Sequence, residues 1–185
     1  MHTNVSWSLR RRVMLVAFVS ALLFYASPAS ASTVGLAANP DSGGKVVFYE
    51  AAPGEVNGLY PYIGATSIQL QDGIGPSGVV INPEAPCVSG QDGSPPPPQP
   101  TNFATCPKSG VDLIAADLDD EDDRFSGMIY TLPVVVAGGS GGDELYGGGG
   151  GDAFITVDSY VDLVRGGKGI DTCECEEMDD VAGVP

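Results

Sequence analysis

Histidine is nearly missing from this 185-residue chain, and basic residues are few: one His and 8 Lys and Arg stand against 24 Asp and Glu. The single His2 lies in an N-terminal segment that reads as a removable export signal. Arg10, Arg11 and Arg12 precede an apolar run from Val13 to Ala26, and Ala29-Ser30-Ala31 forms a small-residue cleavage site before Ser32. The apolar run is shorter than the roughly 20 residues a membrane-spanning helix needs, which argues for a signal (1–31) over an anchor. The consecutive arginines permit either the general or the twin-arginine export route. Without His2 the mature chain holds no Ser-His-Asp triad, no Cys-His dyad and no His-ligated zinc. Removing residues 1–31 also removes three of the eight basic residues and no acidic one, so the formal charge becomes 5 − 24 = −19. Such a chain is predicted to bind neither nucleic acid nor an anionic membrane, and not to insert in a membrane once the signal is gone.

Helical periodicity is also lacking. Outside the signal no stretch keeps an i, i+3, i+4 apolar pattern for three turns. Lys45–Tyr49, Ser67–Gln71, Gly78–Ile81 and Val111–Ala115 are instead short β-branched or apolar runs separated by Gly, Pro, Asn and Asp, which predicts an all-β fold. Four cysteines in an exported chain predict disulfides. Cys87 and Cys106 bracket the proline run Ser94–Pro100, and a bridge there would be structural. Cys173-Glu-Cys175 leaves three options, a strained bridge, two thiols or an external partner, and it supplies too few ligands for a thiolate metal site.

Glycine is abundant and ordered. Residues 138–146 read GGSGGDELY and 147–155 read GGGGGDAFI; after Thr156 come VDSYVDLVR (157–165) and GGKGIDTCE (166–174). Three of them share the form GGxGxDxUx, with U apolar, and the weaker 157–165 keeps only the Asp and the U residue. Glycines supply the positive φ of a tight turn, so six residues turn and three run straight. Each straight part carries one core residue (Leu145, Phe154, Val164, Cys173), so a unit buries its face only by stacking on neighbours. A flexible glycine linker is the alternative, but a linker has no reason to repeat Asp and an apolar residue at fixed offsets. Stacked turns would gather the carboxylates of Asp143, Asp152, Asp162 and Asp171 with main-chain carbonyls, hard oxygen ligands that suit Ca²⁺.

These nonapeptides resemble the RTX, or hemolysin-type, calcium-binding repeat of secreted bacterial proteins. The resemblance implies a short parallel β-roll of about two coils over 117–174. It implies a β-rich N-terminal cap over 32–116 and an acidic tail over 175–185. Calcium ligands would be Asp143, Asp152, Asp162 and Asp171 with the turns carrying Gly138, Ser140, Gly147, Gly149, Gly166 and Lys168. Asp152 would face Asp171, and Asp143 would face Asp162. Turn 157–162 has no glycine, so the ion position it lines is expected to be empty or distorted, and the Asp152 and Asp171 side is the expected calcium site. The layout from Thr105 through an acidic turn to Leu132-Pro-Val-Val-Val is similar to the lead-in of that family.

Other motifs fail on inspection. Asp117, Asp119 and Glu121 begin like an EF-hand, but Asp122 stands where glycine and Met128 where glutamate is required. Asp123-Arg-Phe125 copies the D-x-U ending of a nonapeptide and reads either as a degenerate first turn, with a third ion site, or as a solvated acidic loop. Gly138–Gly142 matches a nucleophile elbow by composition alone, and Gly167-Lys168 lacks the glycine and Ser/Thr of a phosphate loop. The expected function is therefore a secreted, extracellular calcium-binding protein that folds as it binds, and not an enzyme. A secreted-hydrolase module is one rival, although the scattered carboxylates Asp41, Glu50, Glu55, Asp72 and Glu84 offer no recognisable catalytic pair; a cell-surface or matrix adhesion module is the other.

Overall fold

A computed structural model describes residues 31–73, 79–90, 102–127 and 131–184. Residues 1–30 of the expected signal (1–31) and the proline run lie outside the described residues, as does Gly78. The described chain is all-β, without helices. Its strands are β1 (Ser32–Ala38), β2 (Lys45–Glu50), β3 (Gly58–Ile63), β4 (Ser67–Asp72), β5 (Ile81–Pro83), β6 (Val88–Ser89), β7 (Phe103–Pro107) and β8 (Val111–Asp117). They continue with β9 (Arg124–Ser126), β10 (Val134–Ala137), β11 (Glu144–Tyr146), β12 (Ala153–Thr156), β13 (Leu163–Arg165), β14 (Thr172–Cys175) and β15 (Asp180–Ala182).

Two sheets form. One runs β14-β12-β10-β8-β2-β1-β5 and the other β15-β13-β11-β9-β3-β4-β7-β6. From β8 onward the chain alternates strictly between the sheets, and every pairing there is parallel. At the other end β1 pairs antiparallel with β2, β4 with β3 and β7, and β6 with β7. The sheets are thus mixed, in contrast to a parallel array standing apart from a cap. The division expected at 116/117 is crossed by both sheets, because β2 pairs with β8 and β3 with β9. Pro61 is tolerated inside β3 because pairing with β9 stops at Leu59, so the missing N–H removes no bond on that side.

Between the sheets lies the core. The U residues Leu145, Phe154 and Val164 are fully buried there, with Phe125 opposite Leu145 and Cys173 partly buried. Each such side chain contributes about 1.5–3 kcal/mol through removal from water. Strand alternation sends Val46, Phe48, Leu113, Ala115, Val135 and Ala153 to the other face of the seven-stranded sheet, where they form a second buried cluster. Cys87 and Cys106 are bonded, joining the segment before β6 to β7. The sulfurs of Cys173 and Cys175 also lie against each other on one face of β14.

The segment 175–185, expected as a tail, contains the end of β14 and all of β15. Val181 falls opposite Val164 and extends the same apolar row, which draws the chain back into the sheet.

Candidate metal site: two stacks of turns

Crossing between sheets produces two stacks of turns, one along each edge of the molecule. The first holds 51–57, 118–123, 138–143, 157–162 and 176–179. The second holds 147–152 and 166–171, preceded by the chain entering β10. In the first stack each aspartate carboxylate accepts the main-chain N–H of its counterpart one turn earlier. Asp123 Oδ1 accepts from Asn57 at 2.7 Å and Asp143 Oδ1 from Asp123 at 2.9 Å. Asp162 Oδ1 accepts from Asp143 at 2.8 Å, and Asp179 Oδ1 from Asp162 at 3.2 Å. The second stack repeats the device: Asp152 Oδ1 accepts from Val134 at 3.0 Å and Asp171 Oδ1 from Asp152 at 2.9 Å. The structure therefore brings together both pairs expected from the repeats, Asp143 with Asp162 and Asp152 with Asp171.

The second carboxylate oxygens divide these residues. Oδ2 of Asp123, Asp143, Asp162 and Asp171 is buried with no hydrogen-bond partner. Asp152 Oδ2 accepts from Gly148 at 2.7 Å, and Asp179 Oδ2 accepts from Thr156 Oγ1 at 2.9 Å and Glu176 N–H at 2.8 Å. A buried carboxylate oxygen without a donor is costly, and the cost appears in the acidities. Burial pushes the Asp123 carboxyl up to about 8; the bond from Asn57 pulls against it and the charge of Asp143 adds to it. Burial likewise pushes Asp143 up to about 7, opposed by the Asp123 amide and reinforced by Asp162. Asp162 rises to about 6, again by burial, opposed by the Asp143 amide and reinforced by the like charge of Asp179.

The glycines make the stacking possible. A Cβ on Gly147 would lie 2.5 Å from Asp152 Oδ2 and 2.3 Å from the Gly166 carbonyl; on Gly166 it would meet Asp171 Oδ2 and the Gly183 carbonyl, each at 2.6 Å. On Gly138 it would collide with Asp143 Oδ2. The first position of each glycine repeat is thus the cradle into which its own carboxylate folds back. At the third position Ser140 N–H donates to the Asp119 carbonyl at 3.0 Å and Lys168 N–H to the Gly148 carbonyl at 2.8 Å. Gly149 holds the same place in turn 147–152.

Turn 118–123 is a repeat turn in disguise. Asp119 and Glu121 have φ of 69° and 78°, at the positions of Gly139 (97°) and Gly141 (150°), and a Cβ on either glycine would touch the carbonyl of its counterpart. Its acidic residues are therefore not an EF-hand. Turn 157–162 departs from the pattern, since none of its residues is left-handed. Asp158 compensates: its Oδ1 accepts from Tyr160 at 2.8 Å and its Oδ2 from Gly141 at 2.9 Å, so the Asp162 rung survives. Asp122 similarly accepts from Gly142 at 2.8 Å. Asp179, Asp158 and Asp122 were not among the expected site residues; the 17-residue step from Asp162 to Asp179 was the available signal for the first.

Among the described residues no three His, Cys, Asp or Glu side chains converge to hold a metal by themselves. A cation in these stacks would need main-chain carbonyls as well as carboxylates, the oxygen set that Ca²⁺ accepts and transition metals do not favour. No family model, curated protein or solved structure matches this chain.

Proposed function

We propose that this is a secreted calcium-binding protein whose alternating parallel strands form a short β-roll of the RTX kind, and whose folding is coupled to ion uptake. The observation that carries the reading is the set of buried, partnerless oxygens on Asp123, Asp143, Asp162 and Asp171, each set among turns that carry main-chain carbonyls. Asp143 and Asp162 would serve the first stack with Asp123 above them, and Asp152 and Asp171 the second. The turns holding Gly138, Ser140, Gly147, Gly149, Gly166 and Lys168 would supply carbonyl oxygens. Bound Ca²⁺ supplies positive charge and coordination to carboxylates that otherwise repel one another in a dry turn. Three orphaned oxygens in the first stack against one in the second favour the first stack, the reverse of the ranking the glycine pattern predicts.

Circular dichroism of the mature protein in chelator and then in millimolar Ca²⁺ tests this. The expected result is a gain of β signal and of protection from urea. Equal spectra and equal stability in the two conditions would refute it.

A second reading, calcium-stiffened adhesion to a cell surface or matrix, draws on turn 157–162, where Val157, Tyr160 and Val161 are more than half exposed in place of glycines. Retention on the producing cells that is lost on substituting Tyr160 and Val161 by Ser, with calcium binding unchanged, would support it.

A further inference from the structure

We propose that export processing completes a buried polar site in the first turn of the chain: the new α-ammonium of Ser32 pairs with the carboxylate of Glu55. This rests on reading 1–31 as a signal. Hydrolysis of the Ala31–Ser32 peptide bond by an export peptidase consumes one water and leaves a carboxylate on Ala31 and an ammonium on Ser32.

Ser32 is a poor place for an unpaired charge, because it is fully buried as the first residue of β1. Its surroundings are already arranged for a donor. Ser32 Oγ donates to Glu55 Oε2 at 2.7 Å, and the same oxygen accepts the Ala52 N–H at 3.3 Å. Tyr49 Oη lies 2.8 Å from Ser32 Oγ and donates to the buried Asp72 carboxylate beyond it. The α-nitrogen of Ser32 is three bonds from the hydroxyl oxygen that Glu55 already contacts.

Scarcity of cations gives this acid no side-chain alternative. The mature chain has five basic residues, Lys45, Lys108, Arg124, Arg165 and Lys168. Lys45 Nζ sits on the Ser109 carbonyl and Lys108 Nζ on that of Gly64. Arg124 is paired with Glu144 and Arg165 with Asp180. Lys168 belongs to the second stack of turns, along the other edge. The main-chain terminus is the one cation left that the topology brings to Glu55. Before cleavage that nitrogen is a neutral amide; afterwards it is charged and ties β1 to turn 51–57, the first of the first stack.

The test uses the exported chain recovered from the medium, with its N-terminus sequenced and its α-amine titrated by the pH dependence of acylation. The midpoint is expected at least about one unit above the ordinary 7.7–8.0 of an α-amine, so that at pH 8 the reactive fraction drops about fivefold. Glu55→Gln should return the midpoint to the ordinary range. A chain that begins one residue earlier, retaining Ala31, should do the same with its β signal intact, which covers a Glu55→Gln chain that fails to fold. A Ser32 start with an ordinary midpoint overturns the ion pair and leaves the export reading standing. A start elsewhere than Ser32 overturns both.

Discussion

Asp143 separates two roles that the same carboxylate combines. Its Oδ1 holds the Asp123 amide at 2.9 Å, and its Oδ2 is buried without a partner. Asp143→Asn keeps an acceptor for that amide and removes the charge; Asp143→Ala removes both. In chelator at pH 8 the Asn variant should be at least as stable as the parent, because a carboxyl pushed up to about 7 is then being held charged against its environment. The Ala variant should lose about 1–3 kcal/mol, the cost of stranding a buried N–H. Calcium reverses the ranking of parent and Asn. At about 1 mM Ca²⁺ and a site Kd of about 0.1 mM, each ion adds about 1.4 kcal/mol, and both variants should lose that increment. Urea unfolding of the three proteins, each in chelator and in 1 mM Ca²⁺, reads all six values. If Asn and Ala are equally destabilising in chelator and both keep the full calcium gain, Asp143 is a structural cap and the ion-binding argument fails.

Further outcomes follow from the same geometry. In chelator, stability should fall as pH rises: the folded-state acidities of Asp123, Asp143 and Asp162 stand near 8, 7 and 6, above the unfolded value of about 3.9. Their contribution is complete below about pH 4, falls as pH rises and is fully lost once pH has passed the folded-state values of 6 to 8; urea midpoints at pH 5 and pH 8 check it, and saturating Ca²⁺ should flatten the difference. Gly139→Ala should cost at least about 2 kcal/mol more than Gly54→Ala. Both glycines are left-handed, but a Cβ on Gly139 collides with the Asp119 carbonyl while Gly54 faces nothing within 4 Å; paired urea curves measure it. Replacing Cys87 and Cys106 by Ala should lower stability by roughly 3 kcal/mol without changing the calcium increment, since the bridge lies at the end away from β14 and β15.

Legibility in the sequence tracked how much each residue had to satisfy at once. The nonapeptides at 138–155 and 166–174 were readable because Gly, Asp and U each answer a separate steric demand at a fixed offset. The first turn of the first stack was not, because 51–57 carries Asn57 where later turns carry Asp and its partner strands β2 and β3 are 60 or more residues from β8 and β9. β15 was hidden because all three of its residues are exposed and sit in an acidic run; only Val181 opposite Val164 betrays it. The glycine-poor turn 157–162 was expected to leave its ion position empty or distorted; in the structure the Asp162 rung is present, with side-chain acceptors on Asp158 bonding to Tyr160 and Gly141. Counting donors and acceptors would have been needed to see that Asp152 and Asp179 are satisfied while four other aspartates are not.

Strict alternation between sheets also sets how the molecule would come apart. Consecutive rungs of the carboxylate ladder are 17 to 20 residues apart in sequence, and each coil belongs to both sheets. Tension applied at the C-terminus would first strip β15 and then β14, and with them the Asp179 and Asp171 rungs. Extension would proceed in steps of one coil, each step releasing one strand from either sheet. If ions occupy the turns as proposed, each step would meet a higher barrier, and the chain would act as a tether whose stiffness reports the calcium around it.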